Sequence, residues 1–141
     1  MDARGWKGNG MESVEKLDSA RELLEIGWCQ GADARSQSGE PVRPWDAEAV
    51  AWSTLGALVA VADSNETGVL GLEQLGLPAL ALGIATGADE LRAWNDQPTR
   101  TRADVLFVYG EARALLPALV EAYRQRAVTE AAVGGRPRAT T

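Results

Sequence analysis

Histidine is absent from the 141 residues, and cysteine occurs once, as Cys29. Without an imidazole, no Ser-His or Cys-His pair, no histidine zinc site and no histidine general base can form within one chain. A single cysteine leaves no intramolecular disulfide and removes every multi-cysteine zinc arrangement, so neither a metal nor any other cofactor is expected. Lysine is scarce as well, confined to Lys7 and Lys16. Acid-base chemistry would therefore fall to carboxylates, tyrosines or one of these two amines. Cys29 reads as a small apolar side chain beside Trp28, since a reactive thiolate needs a basic or imidazole neighbour.

Long hydrophobic runs are also lacking. The best of them, Val50 to Ala62, contains Ser53 and Thr54 and falls short of the roughly 20 residues that cross a bilayer. Residues 1–10 hold three glycines and no apolar centre, unlike a secretory signal, so the expectation is a cytoplasmic protein without a membrane segment. Gly68, Gly71 and Gly76 lack the spacing of a dinucleotide fingerprint, and no Gly-Lys-Ser/Thr phosphate loop occurs.

What is present fits one domain of ordinary size, long enough to bury roughly two-thirds of its unfolded surface. Residues 1–11 are expected as a flexible N-terminal segment, 12–133 as a single globular helical domain and 134–141 as a disordered tail. The net charge of -6 is unevenly spread: residues 1–10 carry +1 and residues 134–141 carry +2, leaving -9 on residues 11–133. So acidic a body argues against binding duplex nucleic acid, which draws its affinity from Lys and Arg on phosphates. It suits a protein partner of basic character, or solubility alone. The oligomeric state is left open.

Helical periodicity dominates. From Glu12 to Ile26, Val14, Leu17, Ala20, Leu23 and Leu24 line one side, while Glu15, Asp18, Glu22 and Glu25 form an acidic stripe on the other, with Gly27 as the C-terminal cap. That stripe is a solvated face or a contact surface for the basic partner. Two short extended runs around Ser36-Gln37-Ser38-Gly39 predict a β-hairpin over about residues 28–43, its second strand held to an edge by Pro41 and Pro44. Asp46 is the expected N-cap of a second helix running through Val50, Trp52, Leu55 and Leu58, where Gly56 and Ala57 would admit a neighbouring backbone and Trp52 would be core. After a polar break at Asp63 to Gly68 come two short apolar helices separated by Gly76-Leu77-Pro78, then a short helix over Ala88 to Trp94. Thr101-x-x-Asp104, a variant capping box, opens the last helix, which Pro117 either kinks or divides and which ends near Ala127. The fold class is therefore mainly α, a compact bundle of five or six helices with one short hairpin.

The stretch from Trp94 to Asp104 is the most informative. Asn95, Asp96 and Pro98 make a turn in which polar groups gather. If it packs near the hairpin, Trp28, Trp45, Trp52 and Trp94 would wall an aromatic pocket with Asn95, Asp96 and Arg100 at its rim. Within it, Asp96 with Asp104 or Asp46 would be the candidate acid-base pair, and Asn95 a candidate polar participant. The alternative is that Asn95 and Asp96 are turn and cap residues and the tryptophans fill the core.

Three blocks recur in a recognisable order: Gly27-Trp28-x-x-Gly31-Ala32-x-Ala34-Arg35, Ala49-Val50-x-Trp52-x-x-x-Gly56-Ala57, and Trp94-Asn95-Asp96-x-Pro98-x-Arg100-Thr101 followed by Asp104-Val105. Together they resemble a family of small bacterial and phage proteins of unknown function, over roughly residues 13–113. The chain departs from that family at Ser53, where a cysteine is common. The resemblance implies a compact, mostly helical fold with a hairpin and carries no activity with it. Three functions remain in contention: a small acidic protein-binding module, as an accessory or inhibitory factor of phage or mobile-element origin; a small enzyme or ligand-binding protein with a carboxylate-and-tryptophan pocket; and a structural or oligomerising subunit.

Overall fold

The computed structural model describes residues 3–63 and 72–134, with side-chain environments for 13–61 and 75–132. Among the described residues the chain forms five helices and one small antiparallel sheet: α1 (Ala3–Ile26), β1 (Ala34–Ser36), β2 (Ala49–Trp52), α2 (Thr54–Asp63), α3 (Leu72–Thr86), α4 (Leu91–Asn95) and α5 (Arg102–Gly134). The tail expected to be disordered lies, from residue 135 on, outside the described residues, as does most of the polar break after Asp63.

Helix α1 shows the periodicity at work. Leu17, Ala20 and Leu24, three and four positions apart, are almost wholly buried against α2 and α5, and each buried leucine contributes about 2 kcal/mol over an exposed one. The helix begins earlier than the amphipathic pattern, at Ala3. Helix α5 runs antiparallel to it: Arg102 donates to the Glu25 carbonyl, Arg21 to the Leu106 carbonyl, and Arg113 pairs with Asp18. On its inner stripe Val105, Tyr109, Ala112 and Leu116 are buried at 4-3-4 spacing, joined by Leu58 of α2 and Leu82 of α3.

The expected helix start at Asp46 is corrected. Asp46 instead makes a tight turn, its carboxylate accepting from the Glu48 amide, and Ala49–Trp52 is a strand. Trp52 exchanges backbone bonds with Gly27 and Cys29, so β2 is fixed by the chain that leaves α1. Helix α2 starts later, at Thr54, with the Ser53 hydroxyl accepting from the Gly56 amide as its cap. The expected hairpin is likewise redrawn. The Ser36–Gly39 turn forms, with Gly39 at φ 90°, but its second arm is reduced to a bridge between Arg35 and Pro41. The true partner of β1 is β2, paired Ala34 to Trp52 with a bulge after Arg35. Pro41 lacks an amide hydrogen to extend a ladder, which explains the truncated arm.

Other expectations hold. Trp52 is core, its indole donating to the Pro44 carbonyl. Thr101 and Asp104 cap each other reciprocally at the head of α5. Gly76, at φ 58° and ψ -139°, breaks α3 next to Pro78. Two glycines are needed for close approach. A Cβ on Gly56 would lie 1.9 Å from the Asp33 carbonyl oxygen, and one on Gly27 would lie 2.2 Å from that of Val50. Gly27 thus ends α1 by admitting β2 and not as a left-handed cap. Pro117 lies inside α5, which neither divides there nor stops near Ala127.

Candidate functional site

The polar groups collect at the turn that closes α4. Glu90 caps this short helix through the Ala93 amide, and Asn95 ends it, fully buried despite its polarity. A buried carboxamide is costly unless every donor and acceptor is used. Here the Asn95 oxygen accepts from the Trp28 indole at 2.7 Å, from the Thr54 amide at 2.9 Å and from the Thr54 hydroxyl at 2.7 Å. Its amide donates to the Cys29 carbonyl at 3.1 Å and to Asp96 Oδ1 at 3.0 Å. Tyr109 extends the network from α5, donating to the Thr54 carbonyl at 2.7 Å, and complete burial holds its pKa far above the usual tyrosine value. One side chain thus ties α4, the segment after α1, the start of α2 and, through Thr54, α5.

The outer side of the turn differs. Asp96 is exposed. Its Oδ1 accepts from the Gly31 amide at 3.0 Å as well as from Asn95, and no partner is recorded for Oδ2 among the described residues. Gln30 reaches across to the carbonyls of Asn95 and Gln97. Arg92 clamps Asp33 with two parallel bonds of 2.9 and 3.0 Å, which raise the arginine's pKa. Beside these groups lies an open groove of about 1010 Å³, with Pro41, Val42, Trp45 and Val59 as its apolar wall and Arg43 and Asp46 among its polar lining. A smaller recess of about 280 Å³ adjoins it, lined by Asp33, Ser53, Arg92 and Asp96. Gly31, Ala32, Asp33 and Arg92 belong to both.

The residues singled out in the sequence separate. Trp28 and Asn95 come together, as structure. Trp52 is in the core, and Trp94 lies under the Arg100 guanidinium, 3.8 Å from its ring centroid, beside a separate recess of about 380 Å³. The tryptophans therefore do not wall one pocket; of them only Trp45 lines the groove. Asp46 lines the groove, Asp96 the smaller recess, and Asp104 caps α5 away from both. On the acidic stripe, Asp18 pairs with Arg113 and Glu25 with Arg21, while Glu15 and Glu22 have no ion-pair partner among the described residues. Burial pushes the Cys29 thiol up to about 11, and it donates weakly to the Ala32 carbonyl. Among the described residues no group of three or more carboxylate or cysteine side chains is placed to hold a metal ion, and no helix is long and apolar enough to cross a membrane.

Sequence reasoning missed Asp33, Arg92, Thr54 and the polar role of Tyr109. Asp33 and Arg92 are 59 positions apart, so no local spacing announces their pairing. The signal available for Thr54 was its place in an otherwise apolar run, where a hydroxyl needs a partner.

Neither a curated protein nor a solved structure matches the chain. Residues 10–115, from within α1 to the middle of α5, match the model of a family of unknown function, DUF6197, and the chain belongs to that family.

Proposed function

We propose that this chain is a protein-binding module, acting in the cytoplasm as an accessory or inhibitory factor of phage or mobile-element origin, with the open groove as its contact surface. The observation that carries the reading is the saturation of Asn95. The polar group most suggestive of chemistry is wholly spent on the fold, while the neighbouring groove presents an apolar wall with charged groups around it. Such a mixture suits a protein contact, in which aromatic and apolar anchors are surrounded by polar groups. Glu15 and Glu22, which have no ion-pair partner among the described residues, would add attraction for a basic partner.

The test is affinity capture from host lysate with the wild type, a Trp45→Ala/Arg43→Ala groove variant and a charge-reversed Glu15/Asp18/Glu22/Glu25 variant, each shown to be folded. A stoichiometric protein retained by the wild type and lost on the groove variant supports the reading. Retention of a small molecule in place of a protein would favour the ligand-binding alternative. A second reading, association of copies through α5, is favoured by Tyr123 and Val128, which are 51% and 64% exposed on the part of that helix beyond the family match. Light scattering that gives a monomer mass at high concentration would dismiss it.

A further inference from the structure

We infer that the recess beside the groove receives one basic side chain, arginine or lysine, from an otherwise apolar peptide segment of the partner that lies along the groove. The inference rests on the protein-binding reading and adds to it the chemistry of the ligand.

Charge comes first. Two carboxylates and one guanidinium line the recess, and Arg92 is committed to Asp33 through both of that carboxylate's oxygens. What remains is the negative charge of Asp96, whose Oδ1 is held by Gly31 and Asn95 while Oδ2 has no partner among the described residues. A carboxylate fixed by bonds to one oxygen presents the other in a set direction, and an ammonium or guanidinium satisfies it by a charge-assisted bond.

An independent observation is Ser53. It is 3% exposed and lines this same recess; its oxygen accepts from the Gly56 amide, yet its hydroxyl hydrogen finds no acceptor among the described residues. Its missing partner is an acceptor, which an ammonium or guanidinium does not carry, so it fits a backbone carbonyl of the same peptide, while the second lone pair of the serine oxygen is left for the cation. The positive end of α2 is partly spent, because the Thr54 and Gly56 amides already have acceptors in Asn95 and Ser53. The volume of about 280 Å³ admits the end of a long side chain, and the adjoining apolar wall with Trp45 takes its neighbours in the peptide.

The test pans a randomised library of short displayed peptides against the full chain and measures the enriched peptides by fluorescence polarisation. The variants are Asp96→Asn, which keeps an oxygen for Gly31 and Asn95 and replaces the free one with an amide donor, and Trp45→Ala; circular dichroism checks that both are folded. The expected result is enrichment of a single fixed Arg or Lys among apolar residues, with binding weakened about tenfold by Asp96→Asn, as for one lost charge-assisted bond. Replacing the fixed basic residue by norleucine should cost the wild type the same factor and cost Asp96→Asn little. Enriched peptides that lack a basic residue, or that bind Asp96→Asn as well as wild type while losing affinity for Trp45→Ala, overturn the anchor and leave the protein-binding reading standing. Failure to enrich any peptide also overturns the anchor; the protein-binding reading falls with it only if lysate capture fails too.

Discussion

On the inner side of the turn that closes α4, Asn95 is fully buried and every polar atom it owns is bonded to the protein. On the outer side, Asp96 faces a recess with one carboxylate oxygen unclaimed among the described residues. Adjacent residues of similar size and polarity are thus spent on different ends. The difference comes from what meets them: the inner one is surrounded by α2 and the segment after α1, the outer one by an open groove. A polar residue in a turn is therefore a functional candidate only in proportion to the bonds the fold has not already taken.

If that contrast is right, the largest losses of stability come from the inner side. Asn95→Ala strands the Trp28 indole, the Thr54 amide and hydroxyl and the Cys29 carbonyl, and should cost about 3–5 kcal/mol in urea unfolding. Gly56→Ala drives a methyl into the Asp33 carbonyl and should cost about 3 kcal/mol by the same measurement. Tyr109→Phe removes one buried bond to Thr54 while keeping the ring, a loss of about 1–2 kcal/mol.

Alkaline pH offers a milder probe. Cys29 and Tyr109 both have raised pKa values, so the unfolded chain ionises first. Their contribution is fully present below the unfolded values, near 9 and 10, and drains away as pH rises through the folded ones. Melting temperature should therefore fall above about pH 9, and Cys29→Ala should flatten the part of the decline between about 9 and 11. At the other extreme, Arg126 and Glu130 form an exposed pair on α5, and Arg126→Ala should shift stability by less than about 0.5 kcal/mol.

What was legible in the sequence was local. The α1 stripe, the Thr101–Asp104 box and the break at Gly76 are written within a turn or two of helix, and the structure has each of them. Ala49–Trp52 was misread because a short apolar run after an Asp looks alike as helix start or strand; its partners Gly27 and Ala34 decide the matter from far along the chain. The same distance hid the site. Asn95 and Asp96 were visible as turn residues, but which of them would be consumed depended on Trp28, 67 positions away from Asn95, and Thr54, 41 positions away.

The most direct measurement is urea unfolding of Asn95→Ala and Asp96→Asn side by side. A loss of about 3–5 kcal/mol is expected for the first and less than about 1 kcal/mol for the second, whose two structural bonds survive. Equal losses, or an Asn95→Ala variant as stable as the wild type, would contradict it and return the inner side of the turn to the list of functional candidates.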